Sequence, residues 1–199
     1  MVDISAQAVK ELRERTGAGF MDCKRALGET GGDIEKAVAV LRERGQAAAT
    51  KKAGREARDG VIGSYIHTGG RIGVLIEVNC ETDFVARTDQ FGQLVRNLAM
   101  QVAGMRAEYV DTDGIPVHVI ERKRADLLAD EVVARKPEHI RAQIVEGQLK
   151  KWYKEVCLLE QPYRDEERTV RDVVTEAIAT IGENIRVRRF TRYELGEEP

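Results

Sequence analysis

Four carboxylates crowd one short stretch of the chain, Glu77, Glu81, Asp83 and Asp89, and paired carboxylates are what general acid and base work requires. The pattern around them speaks against that chemistry. Strand alternation before Glu81 and helical turning after Asp83 scatter the four, and no His or Ser stands beside them in triad-like company. His67 ends a strand with neither a nucleophile nor a metal-ligand partner near it in sequence, so it reads as a structural or partner-facing side chain. Gly17 and Gly19 open like a phosphate loop, but Asp22 stands where a third Gly is needed and no strand comes before them. Cys23, Cys80 and Cys157 are odd in number, far apart and without C-x-x-C spacing, which points to reduced thiols packed as small core residues. The expectation is a protein that is not an enzyme, with no catalytic residues, no metal site and no cofactor.

What remains in that stretch is Thr82-Asp83-Phe84-Val85. The strand before it alternates Ile72, Val74, Ile76 and Val78 onto one face. The helix after it carries Phe91, Leu94, Val95, Leu98, Ala99 and Val102 as one apolar stripe. Thr82 reads as a helix cap, with Asp83 in the first turn where free N–H groups favour a carboxylate. Phe84 has two readings. In a helix unbroken from Thr82 it shares the phase of Phe91 and is core. If a short turn ends near Arg87 and Thr88 caps a second helix, Phe84 points to solvent, and a bare aromatic at a loop tip calls for a protein partner.

The elements that must position this tip fit a chain of 199 residues, enough for one ordinary domain and a small one. Charged residues make up 33% and aromatics 5%, which suits a helix-rich soluble protein rather than a deep aromatic pocket. With a net charge of −2, nothing electrostatic demands nucleic acid. No apolar run approaches the ~18 residues of a membrane span, and Met1 to Ser5 lacks the features of a signal or transit peptide, so a cytoplasmic protein is expected.

Residues 1–45 read as three short helices. Asp3 or Ser5 caps the first, with Ile4, Ala8 and Leu12 along one side; Phe20, Cys23 and Leu27 mark the second; Asp33 caps a third, striped by Ile34, Ala37, Val38 and Leu41 and stopped by Gly45. Residues 46–59, Ala-rich with Lys51, Lys52, Arg55 and Arg58, read as a solvated helical linker or a strip that meets phosphates or an acidic face. A hairpin follows in residues 60–199, Val61 to His67 and Arg71 to Asn79 about Thr68-Gly69-Gly70. An insertion at about 105–165 is charged and helical, with Pro116 and Pro137 starting helices, Val117, Ile120, Arg124, Leu127 and Leu128 as a ragged stripe, and Ile140 and Ile144 on the second helix. Trp152, Tyr153, Val156, Leu158 and Leu159 form its most hydrophobic patch, read as core or as a protein contact. Thr169 caps a helix that Gly182 stops, and Asn184 to Leu195 is a strand bearing Arg186, Arg188, Arg189 and Arg192. The fold class is α+β, a three-helix bundle followed by a hairpin and a last strand packed with helices.

Asn79-Cys80-Glu81-Thr82-Asp83-Phe84-Val85 closely resembles the signature of the elongation factor Ts family, nucleotide exchange factors of elongation factor Tu. Thr16 to Leu27 looks like that family's opening module, and Ile181-Gly182-Glu183-Asn184-Ile185 with Val187-Arg188-Arg189-Phe190 looks like its last helix and strand. The resemblance implies a bundle of the ubiquitin-associated type that grips the Tu GTPase domain, and a sheet domain that holds another Tu domain and takes the last strand into one sheet with the hairpin. It also implies that Thr82, Asp83, Phe84 and Val85 enter near the magnesium site, displace magnesium, reorient the phosphate loop and so release GDP. Long members of the family carry two related sheet subdomains. This chain has one copy of the signature and resembles the short form, which implies a homodimer and a 2:2 complex with the GDP form of Tu, with no covalent dimer through a cysteine of the last strand. The alternative is an RNA-binding or ribosome-associated α+β protein that uses the basic last strand.

Overall fold

The structure is a computed structural model and describes residues 4–164 and 168–197. Its internal contacts divide the chain into two units: Met1–Val61, Val78–Leu94 and Asp172–Val187 in the first, and Ile62–Glu77, Val95–Arg171 and Arg188–Pro199 in the second. The fold is α+β, with helices and one antiparallel sheet of three strands in the order β1-β2-β3: β1 (Asp59–Ile66), β2 (Ile72–Cys80) and β3 (Arg186–Glu194).

In the first unit, α1 (Ala6–Thr16), α2 (Phe20–Glu29) and α3 (Ile34–Lys52) form a bundle. Ser5 caps α1 by accepting from Ala8 N at 3.1 Å, while Asp3, the other candidate cap, lies outside the described residues. Asp33 caps α3, accepting from Lys36 N at 3.0 Å. Val9, Leu12, Cys23, Ala26, Leu27 and Ala37 are buried together, with Ile4, Ala8, Ile34, Val38 and Leu41 packed on them. One expectation is corrected here, at the end of α3. Phe20, which marks the start of α2, is exposed: a helical side chain covers the turn before its own, and at the first position of α2 there is no such turn. Gly45 does not stop α3. The helix runs on through the Ala-rich segment because Gln46, Ala47, Ala48 and Ala49 are good helix formers, and the bare Gly45 backbone packs against α9 (Val170–Ile181), where a Cβ on Gly45 would lie 3.7 Å from Ala179 Cβ. Arg42 pairs with Asp172 at 2.5 Å and Lys52 Nζ donates to Ile178 O at 3.4 Å along the same contact.

The hairpin closes with His67 N donating to Ile72 O at 2.9 Å, and β3 adds to the other side of β2, where Leu195 N donates to Arg71 O at 2.8 Å. Local pattern does not specify the pairing of β3 with β2, which is set by tertiary packing and agrees with what the resemblance implied. Val74, Ile76, Val78 and Cys80 are buried, as is the whole stripe of α5 (Asp89–Met105) from Phe91 to Val102. Gly63 lets β1 approach α5, since a Cβ there would collide with Val95 Cγ1.

The rest of the second unit is helical: α6 (Val117–Ala129), α7 (Glu131–Ala134) and α8 (Glu138–Val156). Pro116 and Pro137 stand at the N-caps of α6 and α8. The ragged stripe of α6 resolves into Ile120 and Leu127 packed inward, with Val117 and Leu128 exposed. On α8 the buried residues are Val145, Leu149 and Val156, while Ile140 is only half-buried, a phase that the charged sequence around it disguised. Trp152 and Tyr153 pack against two clusters, around Ile115 and Cys157 and around Val133, Val145 and Leu149, which favours the core reading of that patch. No described helix is long and apolar enough to cross a membrane.

Candidate functional site

β2 ends at Cys80 and the chain leaves the sheet through Glu81 into a single turn of helix, α4 (Asp83–Ala86). Thr82 is the cap: its backbone is extended and its Oγ1 accepts from Val85 N at 3.4 Å. Asp83 opens the turn and pairs with Arg87 at 2.8 Å, a contact exposed on both sides and worth under about 1 kcal/mol. The turn stops at once, because Thr88 Oγ1 donates to Val85 O at 2.8 Å and accepts from Phe91 N at 3.3 Å, which ends α4 and starts α5. The second of the two sequence readings therefore holds. Phe84 is 79% exposed, the most exposed of the large hydrophobic side chains among the described residues, while Thr82, Asp83 and Val85 are half-buried.

The base of the tip is held by groups far away in sequence. Glu183 follows Gly182, which ends α9 with a φ of 90°, a backbone conformation natural to glycine. The Glu183 carboxylate accepts from the Glu81 and Thr82 amides, each at 3.0 Å, and from the Thr82 hydroxyl at 2.6 Å. In return the Glu81 carboxylate accepts from Asn184 N at 2.6 Å, with Arg55 Nη1 at 3.5 Å. Asn184 Nδ2 donates to Arg55 O at 2.8 Å and Asn79 Nδ2 to Asp59 O at 3.0 Å. Burial pushes the Cys80 thiol up to about 11, with the nearby Glu183 charge acting the same way, so it stays protonated and its Sγ–H donates to Thr82 O at 3.2 Å. Buried polar groups are thus satisfied around a polar junction whose one unsatisfied feature is an apolar ring in water.

The four carboxylates grouped by sequence have separate engagements. Glu77 pairs with Arg188 and Arg189, Glu81 with the Asn184 amide, Asp83 with Arg87, and Asp89 opens α5. Among the described residues no group of three or more His, Cys, Asp or Glu is placed to hold a metal ion. His67 is exposed and its Nδ1 lies 3.0 Å from the Tyr65 hydroxyl. The arginines of β3 are largely engaged within the chain: Arg189 Nε donates to Glu77 at 2.7 Å, and Arg192, almost buried, to Glu194 and Glu197. Sequence reasoning missed Glu183, Glu81, Asn184 and Arg55 as a group. The signal available was that Glu183 and Asn184 lie inside one resembling segment and Glu81 inside another.

Comparison with known proteins places the whole chain rather than any one site. The sequence model of one family, described as Elongation factor TS, matches residues 21–197. The chain is 58% identical over 195 residues to the Elongation factor Ts of Carboxydothermus hydrogenoformans, covering 98% of this chain and 90% of that protein. It is 57% identical over 195 residues to that of Thermoanaerobacter pseudethanolicus, at 98% and 96% coverage, and 56% identical over 199 residues to that of Synechococcus elongatus, at 99% and 90%.

Proposed function

The chain belongs to the elongation factor Ts family, a family of translation elongation factors, and on that premise we propose that it binds elongation factor Tu in its GDP form and promotes GDP release through the tip Thr82-Asp83-Phe84-Val85. Phe84 wedges between partner side chains beside the magnesium and phosphate site of Tu. Magnesium is displaced, the phosphate loop turns, and GDP loses the contacts that held it. The factor forms and breaks no covalent bond and is not itself an enzyme. The observation that carries this reading is Phe84 standing 79% exposed on a turn whose base is bonded on every side.

The requirement is thermodynamic. Tu binds GDP and binds its exchange factor, and each must weaken the other by the same factor. Burying Phe84 can supply about 1.5–3 kcal/mol, or roughly one to two decades of rate if spent on the opened state. A larger acceleration needs contacts from the helical bundle as well, where Phe20 and Met21 are exposed on α2. A bundle of the ubiquitin-associated type that grips the GTPase domain belongs to the same proposal.

A homodimer and a 2:2 complex complete it. The strands of the second unit expose Ile62, Ile66, Leu75 and Tyr193, with Leu195 beyond, and Ile62, Ile66 and Leu75 alternate with inward residues of their strands. An apolar sheet face of that kind suits a second sheet. Sedimentation of the chain alone and with Tu measures the stoichiometry, and a monomer at micromolar concentration would remove the dimer from the proposal.

The decisive assay is release of labelled GDP from Tu by wild-type protein and by Phe84→Ala, with thermal unfolding of both. Loss of exchange with unfolding unchanged supports the tip; loss only in proportion to unfolded protein refutes it. The RNA-binding alternative is disfavoured by the engagement of Arg188, Arg189 and Arg192 with carboxylates of the chain itself. Filter retention of RNA across a salt series would revive it if binding were tight and steep in salt.

A further inference from the structure

We infer that Glu183 and Thr82 are positioning residues for exchange: the Glu183 carboxylate, acting through the Thr82 hydroxyl, fixes the direction in which Phe84 leaves the fold. The inference rests on the exchange reading above.

A carboxylate is a pure acceptor, and three donors converge on this one: the Glu81 amide, the Thr82 amide and the Thr82 hydroxyl. The hydroxyl has one proton. With that proton committed to Glu183 Oε1 at 2.6 Å, its lone pairs are left for Val85 N, the bond that sets the single turn of α4. Glu183 therefore dictates the rotamer of Thr82, and Thr82 dictates the axis of the turn that carries Phe84. The reverse bond, Glu81 to Asn184 N at 2.6 Å, locks the two segments against sliding. Two of the three Glu183 bonds end on Thr82, the first residue of the tip, and the third on the Glu81 amide just before it.

A four-residue helix has no stability of its own, so without this clasp Phe84 would sample many directions. A ring that must wedge between side chains of a partner has to be aimed before contact, because ordering it on contact subtracts from the free energy available to open the partner. The clasp should therefore act on the opening step and leave the initial docking of the two proteins largely alone.

The test measures the GDP-release rate from Tu against exchange-factor concentration for wild type, Phe84→Ala, Thr82→Val, Thr82→Ser, Glu183→Gln and Glu183→Ala, with thermal unfolding of each and amide hydrogen exchange at Glu81 and Thr82. Thr82→Val is expected to lower the saturating rate about tenfold with the half-saturating concentration held within about twofold, and Thr82→Ser to restore it. Glu183→Gln, which sets an NH₂ group against one of the donors, should fall between wild type and Glu183→Ala, and both Glu183 variants should speed exchange of the Glu81 and Thr82 amides. Should Glu183→Ala fail to fold, the Thr82 pair decides. A wild-type rate from Thr82→Val, an equal loss in Thr82→Ser, or a loss confined to the half-saturating concentration overturns the inference while wild type and Phe84→Ala still differ. If wild type releases no GDP from Tu, the exchange reading itself falls and the inference with it.

Discussion

Phe84 and Phe91 stand two helical turns apart in sequence, yet the first is 79% exposed and the second is fully buried. Both follow a threonine cap, Thr82 and Thr88, and both lie in helical backbone. The difference is the break at Thr88. Its hydroxyl closes α4 after one turn and begins α5 in a new phase, so the periodicity that would have carried Phe84 into the stripe of Phe91 is lost. Exposure of an aromatic ring is here a property of where a helix ends, not of the residue's polarity. A core ring and a solvent-exposed ring were made from the same residue type by one hydroxyl group.

That contrast can be tested from both sides. The largest effect should come from Phe91→Ala, which leaves a cavity under α5 and is expected to cost about 3–5 kcal/mol in chemical denaturation, enough to threaten folding. Phe84→Ala should change stability by less than about 0.5 kcal/mol while reducing catalysed GDP release by roughly one to two decades. Comparable destabilisation by the two would erase the contrast and make Phe84 a structural residue. Thr88→Ala removes both bonds of the break and should lower stability by about 1 kcal/mol, with exchange slowed further than that loss explains because α4 is no longer stopped. Smallest are the flanking charges. Arg87→Ala should shift stability by no more than about 0.5 kcal/mol, since its pair with Asp83 is exposed, whereas Asp83→Ala should slow exchange and cost up to about 1 kcal/mol of local stability at the start of the turn.

Local sequence signals placed much of this molecule. The stripe of α5, the helix caps at Ser5 and Asp33, the hairpin and the helix stop at Gly182 were all readable because each is a local agreement of pattern, cap and turn residue. Gly45 misled for the opposite reason: a glycine reads as a stop, but the good helix formers that follow it carry α3 on to Lys52. Phe20 marked the start of α2, but apolar spacing says nothing about whether a helix end has a neighbour to cover it. In the candidate site, resemblance singled out the four residues Thr82 to Val85, while the pattern left the choice between a core and an exposed Phe84 open.

The chain's own order of residues determined which segments become helix or strand and that a polar junction follows β2, since these depend on neighbours within a turn or two. Only the tertiary structure decided that Glu183 meets Thr82 across 101 positions of sequence, and that Phe84 is left outside. Carboxylate-to-amide bonds between distant segments leave no period to read, because they are specified by where two elements end in space rather than by what repeats along either of them.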